Sequence, residues 1–140
     1  MKNTALEDYK INIKVKLAFL WTSVTFLYIY GDYFELYVPG KLTSIINQES
    51  MLENPLKLFL ASLLLAIPSV MIALSIILKP TLNKSLNIIF GLIFTAIMLL
   101  IALTSYSQWR AFYVFYALAE SILTSIIVYN ALKWPKQTII

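Results

Sequence analysis

Apolar stretches alternate with short polar segments along this chain, and four of the stretches are long enough to cross a bilayer as helices. A helix needs about 20 residues to span the hydrocarbon core. The stretches at residues 17–38, 57–78, 85–106 and 111–132 meet this requirement. The pattern therefore predicts an all-α fold in which residues 1–140 form one integral membrane domain, a four-helix transmembrane bundle.

The first predicted span differs from the others because acidic residues lie within it. The uncharged stretch that ends at Asp32 is too short to cross the bilayer comfortably as a helix. The apolar pattern continues past Asp32 and Glu35 and stops at Pro39–Gly40. We therefore expect one helix that carries two acids near its outer end. No A-x-A cleavage site follows this helix, so we do not expect a signal peptide.

The segments outside the spans are short. Residues 1–16 have the pattern of an amphipathic arm that lies on the lipid headgroups, and the loop at residues 39–56 contains enough apolar positions for a short interfacial helix. Asn83 and Lys84 are predicted to form a tight turn after Pro80. Small or short polar residues recur at helical spacing on the second and third spans and predict close helix packing. They are Ser62, Ala66, Ser69 and Ala73, and Asn87, Gly91, Thr95 and Ala102.

Composition narrows both the class of protein and its chemistry. Apolar residues make up 60% of the chain and charged residues 13%, which excludes disorder and argues against a soluble globule. The chain contains no cysteine and no histidine, so it lacks thiol chemistry and the commonest metal ligand and general base. The few glycines form no phosphate-binding loop. We expect no metal site and no cofactor, and the sequence identifies no catalytic residue.

Lysine and arginine are distributed unevenly between the two sides of the predicted bundle. Eight lie in the N-terminal arm, the second loop and the C-terminal tail, and three lie on the opposite side. The positive-inside rule then places both termini in the cytoplasm, in a multi-pass protein of the cell (inner) membrane. The net charge of +4 is thereby explained by topology. Because no clustered basic face is present, we expect no nucleic-acid partner.

Glu120 is the most informative polar residue because it lies near the middle of the fourth span. A carboxylate at that depth costs about 2.5–3.5 kcal/mol or more, so we expect it to face the bundle interior and to be mostly neutral at pH 7. Tyr113, Tyr116, Ala117 and Thr124 share its helical face. Glu120 is either a proton-binding or ligand-anchoring acid, or a neutral acid that holds helices together by hydrogen bonds.

Asp32, Glu35 and Arg110 are expected at the outer ends of the first and fourth spans. The two acids are three residues apart and therefore share a helix face. Arg110 begins the fourth helix on the same side, and a guanidinium can bind a carboxylate through two parallel hydrogen bonds. One interpretation is a structural ion pair between helix ends. The other is the mouth of a cavity that binds a cation or a polar head group.

The residues 14–40, KVKLAFLWTSVTFLYIYGDYFELYVPG, together with WRAFY at 109–113 and Glu120, resemble a family of small bacterial four-helix membrane proteins of unknown function. The layout is similar to that of DoxX-like proteins. The resemblance covers nearly the whole chain and implies a four-helix bundle. It implies no activity.

Several functions remain open. A small-molecule or lipid binding or transport module would have an inter-helix cavity that opens outward and takes an apolar or cationic ligand. A membrane enzyme would use buried carboxylates for acid–base chemistry on a lipid, and a purely structural subunit is the third reading. The lack of histidine and of a nucleophile motif favours binding or transport over catalysis. The expected partners are the lipid bilayer and that ligand, and a homo-oligomer also fits the small size. The candidate ligand-binding residues are Asp32, Glu35, Arg110, Tyr113, Tyr116 and Glu120.

Overall fold

The described part of the chain folds into four long helices and one short helix. The computed structural model describes residues 6–49, 52 and 54–136. The helices are α1 (Ile13–Glu35), α2 (Lys41–Ile46), α3 (Pro55–Ile77), α4 (Pro80–Thr104) and α5 (Ala111–Leu132), and a 3₁₀ turn, Gln108–Arg110, leads into α5. No strand occurs among these residues. The predicted all-α four-helix membrane bundle is confirmed, and α1, α3, α4 and α5 have the length and apolarity to cross a membrane.

Local sequence signals explain where the helices begin. The Asn12 side chain accepts a hydrogen bond from the backbone N–H of Lys14 at the start of α1. Asn54 caps α3 in the same way, and Pro55 and Pro80 occupy the first turns of α3 and α4, where proline costs no hydrogen bond. The predicted interfacial helix in the loop at residues 39–56 is present as α2.

The predicted turn at Asn83 and Lys84 is wrong, because α4 already begins at Pro80. Asn83 is fully buried on this helix. The Lys84 ammonium reaches back to the carbonyl oxygen of Leu132, 3.3 Å away, at the end of α5. A lysine can thus lie within the first turns of a membrane helix, since its long side chain extends to a polar partner. The position of a charge therefore does not mark the helix end.

The helices pack in the order α3, α1, α5, α4. Helix α1 lies between α3 and α5, and α5 packs along α4. Although α3 and α4 are consecutive, they share few contacts. We call the end where α1 finishes and α5 begins the Asp32 end, and the end where α1 begins and α3 finishes the Lys14 end. At the latter, the Lys14 ammonium donates to the carbonyl oxygens of Ile76 and Leu78, at 3.1 and 2.6 Å.

The core of the bundle is small. Its fully or nearly fully buried apolar side chains come from all four long helices: Leu17, Trp21, Val24, Met71, Phe94 and Ile127. Most other large apolar side chains are exposed in the isolated chain. Soluble monomers rarely expose apolar surface on this scale, whereas lipid covers it in a bilayer. The burial pattern therefore agrees with a membrane bundle.

Small residues bring α4 and α5 together but not α3. A Cβ atom placed on Gly91 would lie only 2.6 Å from Cγ2 of Val128, so the two helices are in close contact at this glycine. The predicted packing stripe on α3 is wrong, because its four members are exposed: Ser62, Ala66, Ser69 and Ala73. Small residues permit close approach on any face, and the buried face of α3 is instead formed by Pro68, Met71 and Ser75.

A buried polar network joins α1, α3 and α4 in the half of the bundle nearer the Lys14 end. Trp21 Nε1 donates to Asn87 Oδ1 at 2.8 Å. The Asn87 amide donates to Asn83 Oδ1 at 2.7 Å, and the Asn83 amide donates to the carbonyl oxygen of Ser75 at 2.6 Å. Polar groups in hydrocarbon must be paired in this way, so this network is read as structural.

Candidate functional site

Glu35 forms an ion-pair cluster with two cations at the Asp32 end. Its Oε1 accepts a hydrogen bond from Arg110 Nη2 at 2.8 Å and lies 3.2 Å from Lys41 Nζ. The prediction that Arg110 lies within hydrogen-bonding reach of Asp32 or Glu35 is confirmed, with Glu35 as the partner. Lys41, the first residue of α2, was not expected in this cluster. The cluster ties α1, α2 and the start of α5 together.

Asp32 does not join this cluster and instead lines a cavity between the helices. Its side chain is exposed, so it lies at the mouth of the cavity. One turn earlier on α1, the half-buried Tyr28 lines the same cavity. Two acids on one helix face thus have different surroundings: Glu35 contacts cations, and Asp32 contacts the cavity.

Glu120 lies at the bottom of this cavity. Only 2% of its surface is exposed, and the residue is nine positions into α5, about 14 Å along the helix axis from its start. Its Oε1 is buried and has no hydrogen-bond partner among the described residues, and the same holds for the hydroxyl of Tyr28. The expectation that Glu120 faces the bundle interior is therefore confirmed, but the carboxyl is not saturated by hydrogen bonds between helices.

The cavity is small and acidic. Its volume, about 20 Å³ when measured for the centre of a water-sized sphere, is enough for about one water molecule. The lining side chains come from α1, α4 and α5 and include no lysine or arginine. They belong to Tyr28, Asp32, Met98, Ile101, Tyr113, Tyr116, Ala117 and Glu120, and Gly31 contributes backbone.

The cavity brings together four of the six candidate site residues. Asp32, Tyr113, Tyr116 and Glu120 line it, whereas Glu35 and Arg110 pair with each other outside it. Sequence analysis did not single out Met98 and Ile101 as cavity residues. Both line the cavity from α4, and neither carries a hydrogen-bonding or charged group that would predict a site. Only the α4–α5 packing brings them to the carboxyl.

Gly31 keeps the cavity open on the α1 side. A Cβ atom at this position would meet the rings of Tyr113 and Tyr116 at 3.9 Å, which is ordinary van der Waals contact. Glycine therefore leaves a gap of about one methyl group between α1 and the two tyrosines. Gly31 therefore matters because it lacks a side chain, and not because its backbone conformation is unusual.

An aromatic groove lies beside the cavity at the Asp32 end. Its volume is about 390 Å³, and it is lined by Phe34, Tyr37, Val38, Trp109, Phe112 and Tyr116. The Tyr37 hydroxyl lies 2.7 Å from that of Tyr33, and this hydrogen bond raises the pKa of Tyr37 above its ordinary value. Tyr116 is shared by the groove and the cavity.

The described residues contain no group of three or more acidic side chains, histidines or cysteines that could hold a metal ion. The cavity is lined by two carboxyl groups, of Asp32 and Glu120, and by three tyrosines, Tyr28, Tyr113 and Tyr116. This set can bind a proton, a water molecule or a single cation, and nothing in it prepares a nucleophile.

A family model described as "Family of unknown function (DUF6326)" matches residues 5–140. No curated protein and no solved structure matches the chain.

Proposed function

Because the chain belongs to DUF6326, a family of unknown function, its activity has to be inferred from its own site, and we propose that it is a membrane binding or transport module. Its site is the acidic cavity at Glu120, and its ligand is a cation, the proton included. Asp32 at the mouth attracts the cation and Glu120 at the bottom receives it.

The observation that carries this proposal is the unpartnered carboxyl oxygen of Glu120. A buried polar atom without a hydrogen bond costs about 1–3 kcal/mol. The nearest groups in the cavity are hydroxyls and a second acid, so a cation would find only favourable charges there. An anion would meet two acids. The two acids of the site therefore favour a cationic ligand over an anionic one.

The orientation of the module is part of the same proposal. The excess of lysine at the Lys14 end supports a cytoplasmic location for both termini, in the inner membrane of a bacterial cell. The cavity then opens outward. Lys14 and Lys84 each bind carbonyl oxygens at helix ends, where a cation also stabilises the helix dipole.

Acid–base catalysis on a lipid is less well supported by the geometry. It would explain why two acids line one cavity, since such chemistry needs a proton donor and a proton acceptor. In the conformation of the structure the cavity holds about one water molecule, so the reacting part of a lipid has no room between the two acids. A purely structural role leaves the unpartnered oxygen of Glu120 unexplained.

Infrared difference spectroscopy on the protein in lipid nanodiscs tests the proposal. The carboxyl band of Glu120 is identified by its loss in Glu120→Gln. We expect this band to change with pH and to shift on addition of sodium or ammonium ions. The titratable groups that line the cavity with Glu120 are Asp32, Tyr28, Tyr113 and Tyr116.

Glu49→Gln is the matched control, since Glu49 is an exposed glutamate after α2. Its spectrum should keep the Glu120 band and its response. A Glu120 band that responds neither to pH nor to these cations would refute the proposed function.

A further inference from the structure

We propose that the cation is an amphiphilic organic amine. Its apolar body occupies the aromatic groove, and its ammonium group reaches Glu120 and Asp32 once the Tyr116 ring turns aside. This inference rests on the proposed function and adds to it the class of ligand and the access route.

One side chain, that of Tyr116, separates the groove from the cavity. Tyr116 lines both spaces, and it stacks on Phe34 with ring centroids 6.5 Å apart and planes only 13° from parallel. The ring is partly exposed, and its hydroxyl forms no hydrogen bond with the described residues. Rotation about the side-chain bonds of Tyr116 would join the two spaces without a change in the helices.

The volumes of the cavity and the groove suit different parts of one ligand. The cavity alone admits about one water molecule, whereas the groove has a volume of about 390 Å³. Sites for small organic ligands range from about 300 to about 1,000 Å³. A ligand that uses the groove for its body and the cavity for its charged end satisfies both volumes.

The charged groups around the groove and the cavity favour a cationic ligand. Arg110 and Lys41, which are close in sequence to the groove residues Trp109 and Val38, are already bound to Glu35, so an anionic head group would compete with Glu35 for them. A neutral apolar ligand would fill the groove and leave Glu120 unpartnered. An ammonium group is attracted both by the two acids and by aromatic ring faces, which favour cations.

The rim of the groove has the residues that are typical of the lipid headgroup level. Tyr37 and Trp109, at the rim of the groove, are 67% and 64% exposed in the isolated chain. Tyrosine and tryptophan concentrate at the level of the lipid headgroups. An amphiphilic amine also concentrates there, with its charge in water and its body among the acyl chains, so it would meet the groove from within the membrane.

The test compares two ligands of the same shape, 4-phenylbutylamine and the uncharged 4-phenylbutanol. Binding is measured by equilibrium dialysis against the protein in nanodiscs, with empty nanodiscs subtracted. We expect the amine to bind about tenfold or more tightly than the alcohol, which corresponds to about 1.4 kcal/mol. Glu120→Gln should remove this preference and leave the binding of the alcohol unchanged.

Two phenylalanine substitutions, one inside the groove and one outside it, test whether the ligand occupies the groove. Phe112→Ala removes a wall of the groove and should weaken amine and alcohol to a similar extent. Phe19→Ala is the control, because Phe19 on α1 is 69% exposed and lines neither the groove nor the cavity. It should change neither affinity. Asp32→Asn, at the exposed mouth, should reduce the preference for the amine even if Glu120→Gln fails to fold.

The outcomes separate this inference from the proposed function. Equal binding of amine and alcohol, or an amine preference that survives both acid variants, overturns the inference, and equal binding would instead assign the groove to a lipid acyl chain. An amine preference that Phe112→Ala does not affect overturns the access route. If either result occurs while the Glu120 carboxyl band still responds to pH and small cations, the proposed function stands without the amine.

Discussion

Glu35 and Glu120 are two glutamates with little exposed surface in the same half of the bundle, and their partners differ. Among the residues described, each has one buried carboxyl oxygen without a hydrogen-bond partner, Oε2 of Glu35 and Oε1 of Glu120. Glu35 also contacts Arg110 and Lys41, whereas no lysine or arginine lines the cavity around Glu120. Burying an acid without a partner destabilises a fold. Residues that break such a rule are the usual places for function, which is why the two glutamates predict opposite responses to the same substitution.

Glu120→Met should leave the free energy of unfolding unchanged or raise it by up to about 2 kcal/mol, because the apolar side chain removes an unpartnered buried oxygen. Glu35→Met should lower it by about 1–2 kcal/mol, since it leaves Arg110 and Lys41 without their acid at a partly exposed site. Reversible unfolding in mixed detergent micelles measures both. A clear loss of stability in Glu120→Met would show that its carboxyl holds the fold together.

Arg110→Ala should destabilise the protein more than Lys41→Ala. Arg110 donates a hydrogen bond to Glu35 at 2.8 Å, whereas Lys41 lies 3.2 Å away. Because the Arg110 side chain is 39% exposed, screening limits the expected loss to about 1 kcal/mol. Gln108→Ala, in the same 3₁₀ turn and exposed, is the control and should be close to neutral. Equal effects of Arg110→Ala and Gln108→Ala would contradict the structural importance of the pair.

At the scale of elements, the seam between α4 and α5 holds the Glu120 side of the cavity in place. Thr95 Oγ1 of α4 and Thr124 Oγ1 of α5 lie 2.7 Å apart, and Gly91 lies against Val128 one turn away. Glu120 lies one turn from Thr124 on α5. The close approach of these helices therefore sets the distance from Glu120 to Met98 and Ile101.

Gly91→Ala should destabilise the bundle by about 1–3 kcal/mol, the usual effect of overpacking. The new Cβ would lie 2.6 Å from Cγ2 of Val128, and valine has little rotamer freedom in a helix to move away. Val128→Ala removes the contacted atom, so Gly91→Ala should cost much less in that background. A double-mutant cycle measures the coupling. Additive effects of the two substitutions would show that the helices separate easily at this point.

At the scale of the whole molecule, the excess of lysine and arginine at the Lys14 end predicts how the bundle lies in the membrane. The chain contains no cysteine, so single cysteines can be introduced without interference. Thr43→Cys on α2 should react with a membrane-impermeant maleimide added outside intact cells. Thr81→Cys, in the first turn of α4, should react only after the membrane is opened. The reverse pattern would invert the proposed topology.

The sequence by itself determined the fold class, the approximate helix positions and the inward face of Glu120. These follow from local properties: apolar length, proline and asparagine at helix starts, and the cost of an acid in lipid. Its charges also predicted an Arg110 pair with a nearby acid. They did not distinguish Asp32 from Glu35 as the partner, because both lie on one face and helix geometry alone leaves them equivalent.

Only the tertiary structure decided which face of each helix packs against another helix. It left the small-residue stripe of α3 exposed and placed Asn83 inside α4. It brought Lys41 to Glu35 and placed Tyr116 between the cavity and the groove. The exposure of the α3 stripe and the position of Tyr116 depend on contacts between helices far apart in the chain. Lys41 instead meets Glu35 across the turn between α1 and α2, and Asn83 lies in α4 because that helix begins at Pro80. Hydrophobic periodicity reports which side of a helix avoids water, but in a membrane lipid satisfies an apolar face as well as another helix does, so the pairing of faces becomes visible only when the helices are packed.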